Sequence, residues 1–150
     1  MLMTTTELFS ILAAHSAYLD NHRNGARANF SGADLRGADL SGFDLTGANF
    51  QAADLTGANL VNSCLALADL RSADLTKANL NGAVLTDARM SAAVLDRTEI
   101  CFALLVRADL RGASTSNIDI RGSDLTGANL HGATLNRVTF TGANLSNVVF

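Results

Sequence analysis

The chain has 150 residues, 48% apolar and 5% aromatic, which is enough for one domain with a real core and gives no sign of a second. Eleven basic residues against fourteen acidic ones leave a formal charge of −3, a balance that indicates neither a nucleic-acid-binding patch nor a strongly acidic tail. Two cysteines, Cys64 and Cys101, are too few for a disulfide framework and stand in no metal-ligand spacing, so both read as free thiols.

The first twenty residues have no basic n-region and no long uninterrupted apolar stretch, so neither a secretory signal nor a membrane span is expected, and a cytoplasmic location follows by default. Residues 4–24 read as an amphipathic helix. Thr4 and Glu7 have capping-box spacing, and Leu8, Ile11, Leu12, His15, Tyr18 and Leu19 recur at helical intervals. Asn24-Gly25 is the expected stop.

From Phe30 a period of five takes over. The twenty-five positions from Phe30 to Phe150 hold seventeen Leu, four Phe, two Ile, Met90 and Thr115, so all but one are large and apolar. Two residues before each centre, eighteen of the twenty-five are Ala; one residue before it, fifteen are Asp or Asn; two after it fall eleven of the twelve glycines. Such a period fits no α-helix, because five residues turn a helix by about 500° and the leucines would spiral over every side. It fits no continuous strand either, since an odd step sends alternate leucines to opposite faces. A short extended segment followed by a turn satisfies it: Leu and Ala point inward, Asp or Asn points outward, and Gly stands where the chain bends.

The unit stands whole in Ala33-Asp34-Leu35-Arg36-Gly37 and Ala128-Asn129-Leu130-His131-Gly132. It resembles the repeat of the pentapeptide-repeat family over residues 28–150, with no insertion in the register. The resemblance implies an all-β solenoid, a right-handed quadrilateral parallel β-helix of about six coils, with four pentapeptides per coil and residues twenty apart stacked. Residues 1–27 then form an N-terminal α-helical cap and linker, and 28–150 the β-helix, within a single domain. The cap is expected to lie over the first coil near Phe30 and Leu35, because a solenoid has to cover its terminal coil. Phe43, Ile118 and Val138 occupy small-residue positions and are expected to widen their coils. Thr115 is expected to be buried with its hydroxyl bonded to backbone.

His15, His22 and His131 are scattered, and no Cys/His/carboxylate cluster has triad or ligand spacing, so no enzyme, metal or cofactor is expected. Three surfaces remain as candidates. On one side the outward positions run Cys64, Val84 and Leu104, flanked by Leu67, Phe102 and Val106, an apolar stripe suited to binding another protein. On another, Asp34, Asp54 and Asp74 stack as an acidic ladder. The third is the C-terminal coil, where Leu135, Val138, Phe140, Leu145, Val148, Val149 and Phe150 make a candidate homodimer end.

The reading is a small cytoplasmic bacterial protein that acts as a rigid interaction or scaffold module, with no direct nucleic-acid contact and no membrane. The alternative comes from members of the family that protect DNA gyrase from quinolones by resembling a DNA duplex: the acidic ladder would then mimic phosphates and the partner would be gyrase or another topoisomerase. Twelve acids against ten bases from residue 25 onward weigh against that alternative.

Overall fold

The computed structural model describes residues 2–150. Its helix, α1 (Thr5–Leu19), starts on the capping box: the Thr4 hydroxyl accepts the Glu7 amide, and the Glu7 carboxylate accepts the Thr4 amide at 2.9 Å. The end of α1 lies earlier than Asn24-Gly25. Asn21 takes a left-handed φ of 56°, its amide donates to the Tyr18 carbonyl, and the His22 amide donates to the Ala17 carbonyl. These are the two bonds of a Schellman cap with Asn in the left-handed place. Gly25 has a different task. A Cβ there would lie 2.2 Å from the Tyr18 amide nitrogen, so only glycine lets the returning linker pass so close to α1.

Beyond the linker, outward residues pair with those twenty further on. Asn29 with Asn49, Asp34 with Asp54, Asp39 with Asn59 and Asp44 with Cys64 begin four columns of parallel bridges. Each bridge stands alone between two turns and never extends into a longer strand. Within a column the ladder is regular: the Leu35 amide donates to the Asp54 carbonyl at 2.8 Å, and the Asp54 amide to the Ala33 carbonyl at 2.9 Å. At every corner from Gly32 to Asn147 the residue two after the centre has φ between 55° and 71°, and the centre carbonyl commonly accepts the amide three residues on. A positive φ at that place is the mark of a type II turn. Eleven corners use glycine; Leu67, Phe102 and Arg97 are among those that adopt the same conformation without it, at about 1 kcal/mol or more each.

The centres and their alanines fill the tube. Leu40, Leu60, Leu80, Phe30 and Phe50 are fully buried, and the rings of Phe30 and Phe50 stack at 4.9 Å. Each such side chain contributes about 1.5–3 kcal/mol through burial. Leu8 and Leu12 of α1 join the same core.

Outward Asp and Asn have a specific task as well. Their Oδ1 accepts the amide two residues on, as Asp44 does for Thr46, Asn79 for Asn81 and Asn129 for His131. This Asx turn satisfies a backbone donor that takes no carbonyl of a neighbouring coil.

Departures from the unit are accommodated locally. At Phe43 the turn bond to the Leu40 carbonyl stretches to 3.5 Å, and the ring meets Phe9 of α1 edge-on, with centroids 6.4 Å apart. The amides of Ile118 and Val138 make no turn bond to the centres of their corners. Thr115 is buried, and its hydroxyl donates to the Thr134 carbonyl at 2.6 Å. Ser63, Thr98 and Ser123 stand at the alanine position and give their hydroxyls to the carbonyls of Leu60, Leu75 and Ile100.

Candidate functional site

The apolar stripe is a continuous column, because Cys64 bridges to Val84 and Val84 to Leu104. Cys64, Val84 and Val106 are half-buried, whereas Leu104 is 44% exposed, Leu67 61% and Phe102 74%. Phe102 has a seat: a Cβ on Gly122 of the next coil would lie 2.6 Å from its ring, so glycine at that corner makes room for the ring to lie over it. Cys64 is a free thiol whose sulfur lies 3.2 Å from the Thr46 hydroxyl, and Cys101 is likewise free.

Sequence reasoning missed a second property of this column. Where Asp or Asn gives way to Cys64, Val84 and Leu104, the Asx acceptor disappears with the charge. The amides of Ala66, Thr86 and Val106 have no acceptor among the described residues, on three successive coils. Elsewhere a lost acceptor is replaced, or the open amide follows a bonded one in its column, as at Ser91, Asp96, Asn136 and Thr141. The Cys101 amide donates to Asn81 Oδ1 of the coil before at 2.8 Å, and the Ser116 amide to Asp96 Oδ1 at 3.0 Å. The signal was present in the sequence, since the substitutions that lay down apolar groups also delete the acceptors.

The acidic ladder is stacked as its spacing predicts, with Asp34 bridged to Asp54 and Asp54 to Asp74. It is not a bare anionic row. Arg36 forms a forked pair with Asp34, both contacts at 2.8 Å, and its Nε lies 3.6 Å from Asp54. The same Asp-x-Arg pairing recurs at Asp69 and Arg71, Asp109 and Arg111, and Asp119 and Arg121, while Arg107 reaches back one coil to Asp87. In each of these pairs the arginine hydrogen bond holds the aspartate below the usual carboxylate range.

At the other end, the coil of residues 131–150 leaves Leu135, Val149 and Phe150 exposed and Val138, Phe140, Leu145 and Val148 half-buried. The amides of Leu135, Phe140, Leu145 and Phe150 donate to nothing among the described residues, although their counterparts on earlier coils all bond to the coil above. Inside this end, a cavity of about 10 Å³ is lined by apolar side chains and Thr115. Two shallow grooves of about 300 and 310 Å³ run on either side of Phe9, between α1 and the first coil. Among the described residues no group of three or more His, Cys, Asp or Glu could hold a metal ion, and no helix is long and apolar enough to cross a membrane.

The model of the pentapeptide repeats family matches the chain in eight copies, over residues 28–66, 63–99, 103–142 and 116–150. Among solved structures, the chain is 33% identical to HetL, a pentapeptide repeat protein involved in heterocyst differentiation regulation from the cyanobacterium Nostoc sp. strain PCC 7120. That match covers 83% of this chain and 71% of HetL, with a TM-score of 0.53. Full-length QnrB1, a plasmid-mediated fluoroquinolone resistance protein, is 23% identical over 81% of this chain and 58% of its own, with a TM-score of 0.51. The chain therefore spans less than two thirds of QnrB1, and that likeness concerns the fold alone. No curated protein matches the chain.

Proposed function

The chain belongs to the pentapeptide-repeat family, and on that premise we propose that it is a non-enzymatic interaction module, a rigid rod whose Cys64, Val84 and Leu104 column docks against another protein. We take the rod as the family's right-handed quadrilateral β-helix of about six coils, with α1 as the cap of its first coil. One observation carries the reading: three successive coils present apolar side chains and open backbone amides in a single column. Apolar groups gain from being covered, and the amides gain an acceptor, so one contact would satisfy both. A rod that is already ordered loses little entropy on binding.

The test is affinity capture from extracts with the wild-type chain and with the Phe102→Ser, Leu104→Asp double variant, followed by titration of the captured protein. Central apolar anchors typically account for 2 kcal/mol or more, so the double variant should bind about thirtyfold more weakly or worse. Equal affinity of the two would remove the column from the interface.

The alternative is gyrase or topoisomerase binding by DNA mimicry. The stacked Asp34, Asp54 and Asp74 favour it; the Arg36 pairing, which neutralises the start of that ladder, weighs against it. A gyrase supercoiling assay separates the two, and under the leading reading the chain has no effect at micromolar concentration. Self-association through the C-terminal coil is a further part of the proposal, and a cytoplasmic setting is the expected one.

A further inference from the structure

Among the described residues, His15 is the only buried side chain that can gain or lose a proton near neutral pH. It is fully buried and lies in line with Leu8 and Leu12, on the face α1 turns to the rod. Its Nδ1 accepts the amide of Ala28, the first residue of the first repeat, at 3.1 Å. A neutral imidazole has one accepting and one donating nitrogen, so the proton sits on Nε2, which has no partner among the described residues. This geometry suits only the neutral ring. A second proton would have to go on Nδ1, pointing at the Ala28 N–H, donor against donor, and would place a charge in a sealed seam.

We propose that His15 is an acid-released latch: neutral, it pins α1 to the first coil; protonated, it loses the Ala28 bond and frees the helix while the rod stays folded. Through their charges, Asp44 on the first coil favours the cation and Arg27 in the linker opposes it, while Tyr18, one turn along α1, stacks on the ring with centroids 6.0 Å apart. Burial is the largest influence and holds His15 below its ordinary value of 6.5. The sign follows. The closed cap holds the neutral form and the released helix restores an ordinary imidazole. Closed-state stability is therefore complete above about pH 6.5 and is lost as pH falls from there through the lower closed-state value.

The rod's own buried polar groups, Ser63, Thr98, Thr115 and Ser123, are hydroxyls that do not titrate in this range. Mild acid therefore acts on the seam and leaves the tube alone. Release would uncover Leu8, Leu12 and the first coil.

Hydrogen–deuterium exchange on the full chain at pH 7.5 and 5.0, with rod amides as the internal reference, tests this. Protection of α1 relative to the rod should fall by about tenfold for each pH unit between the two values of His15. His15→Asn keeps an oxygen for the Ala28 amide but does not titrate, and its α1 protection should be flat across the same range. The latch is refuted if wild-type protection does not change, if His15→Asn loses it equally, or if rod amides lose protection at the same pH. Proton NMR of the wild type decides without a variant. A His15 ring that titrates below the ordinary value of 6.5, in step with loss of α1 protection, supports the latch; titration at that ordinary value while α1 stays protected overturns it.

Discussion

At the scale of single residues, the outward Asp or Asn of the unit matters as a backbone partner more than as a charge. Its Oδ1 closes an Asx turn on an amide that takes no backbone carbonyl of a neighbouring coil, and either residue supplies that oxygen. Asn129→Ala should therefore cost about 1 kcal/mol by denaturant unfolding, because the His131 amide loses its acceptor, whereas Asn129→Asp should stay within about 0.5. The converse holds on the apolar column. Leu104→Asp restores an acceptor for the Val106 amide and should leave the rod at least as stable as the wild type, so any binding it abolishes is not a folding defect. Protonation brings out the charged part of the role. Asp39 and Asp124 are held low chiefly by the hydroxyls of Ser41 and Thr126, and Asp69 by the guanidinium of Arg71. Folded values that lie below the ordinary 3.8 mean that this stabilisation is present above that pH and is lost as pH falls through the lower values. Below about pH 4 the melting temperature should accordingly fall, beyond any loss already made when α1 is released at higher pH; Asp124→Asn, which cannot titrate, should shed less stability over this acid limb.

At the scale of elements, α1 was half legible. Its start rests on a local pattern, Thr4 with Glu7, and local patterns survive in the sequence. Its end does not. Asn21 serves the left-handed place as a glycine would, and Gly25, which looks like a stop, is required by the approach of the linker to Tyr18, a tertiary fact. Gly25→Ala should therefore unseat α1 from the linker, since its Cβ would sit 2.2 Å from backbone that has no way to swing aside. Gly57→Ala has only the left-handed φ of 66° to bear, with no atom within 4 Å, and should cost about 1 kcal/mol. Loss of α1 protection in hydrogen exchange for the first, with none for the second, is the expected contrast. The corners tell the same story in reverse. Glycine marks eleven of them in the sequence, yet Leu67, Phe102 and Arg97 bend the same way, because closure of the coil dictates the conformation whatever the residue prefers.

At the scale of the molecule, the period of five needed the family resemblance, with its four repeats per coil, to place residues twenty apart in columns and so to put Cys64, Val84 and Leu104 on one surface. It was not enough to foresee that Arg36 would fork onto Asp34 and reach Asp54, which depends on where a long side chain lies. The same columns make the C-terminal coil the place where self-association is expected. Leu135 is 40% exposed and Phe150 59%, although the corresponding centres of most earlier coils are closed to solvent. Around them the amides of Leu135, Phe140, Leu145 and Phe150 have no acceptor among the described residues, and edge donors of this kind are ordinarily covered or paired. A twofold contact between two such coils would bury both sets of apolar side chains in one isologous interface. Val138 and Val148, large residues at the small position, remain half-buried and do not close the end. Light scattering on the chain at tens of micromolar should report twice the chain mass of 15.6 kDa. Leu145→Asp with Phe150→Asp, each placing a charge among these apolar groups, should return it to a monomer without loss of the β-helical signal, while Leu104→Asp on the lateral column should leave the dimer intact. A wild-type chain that is already monomeric at that concentration would discard the twofold contact.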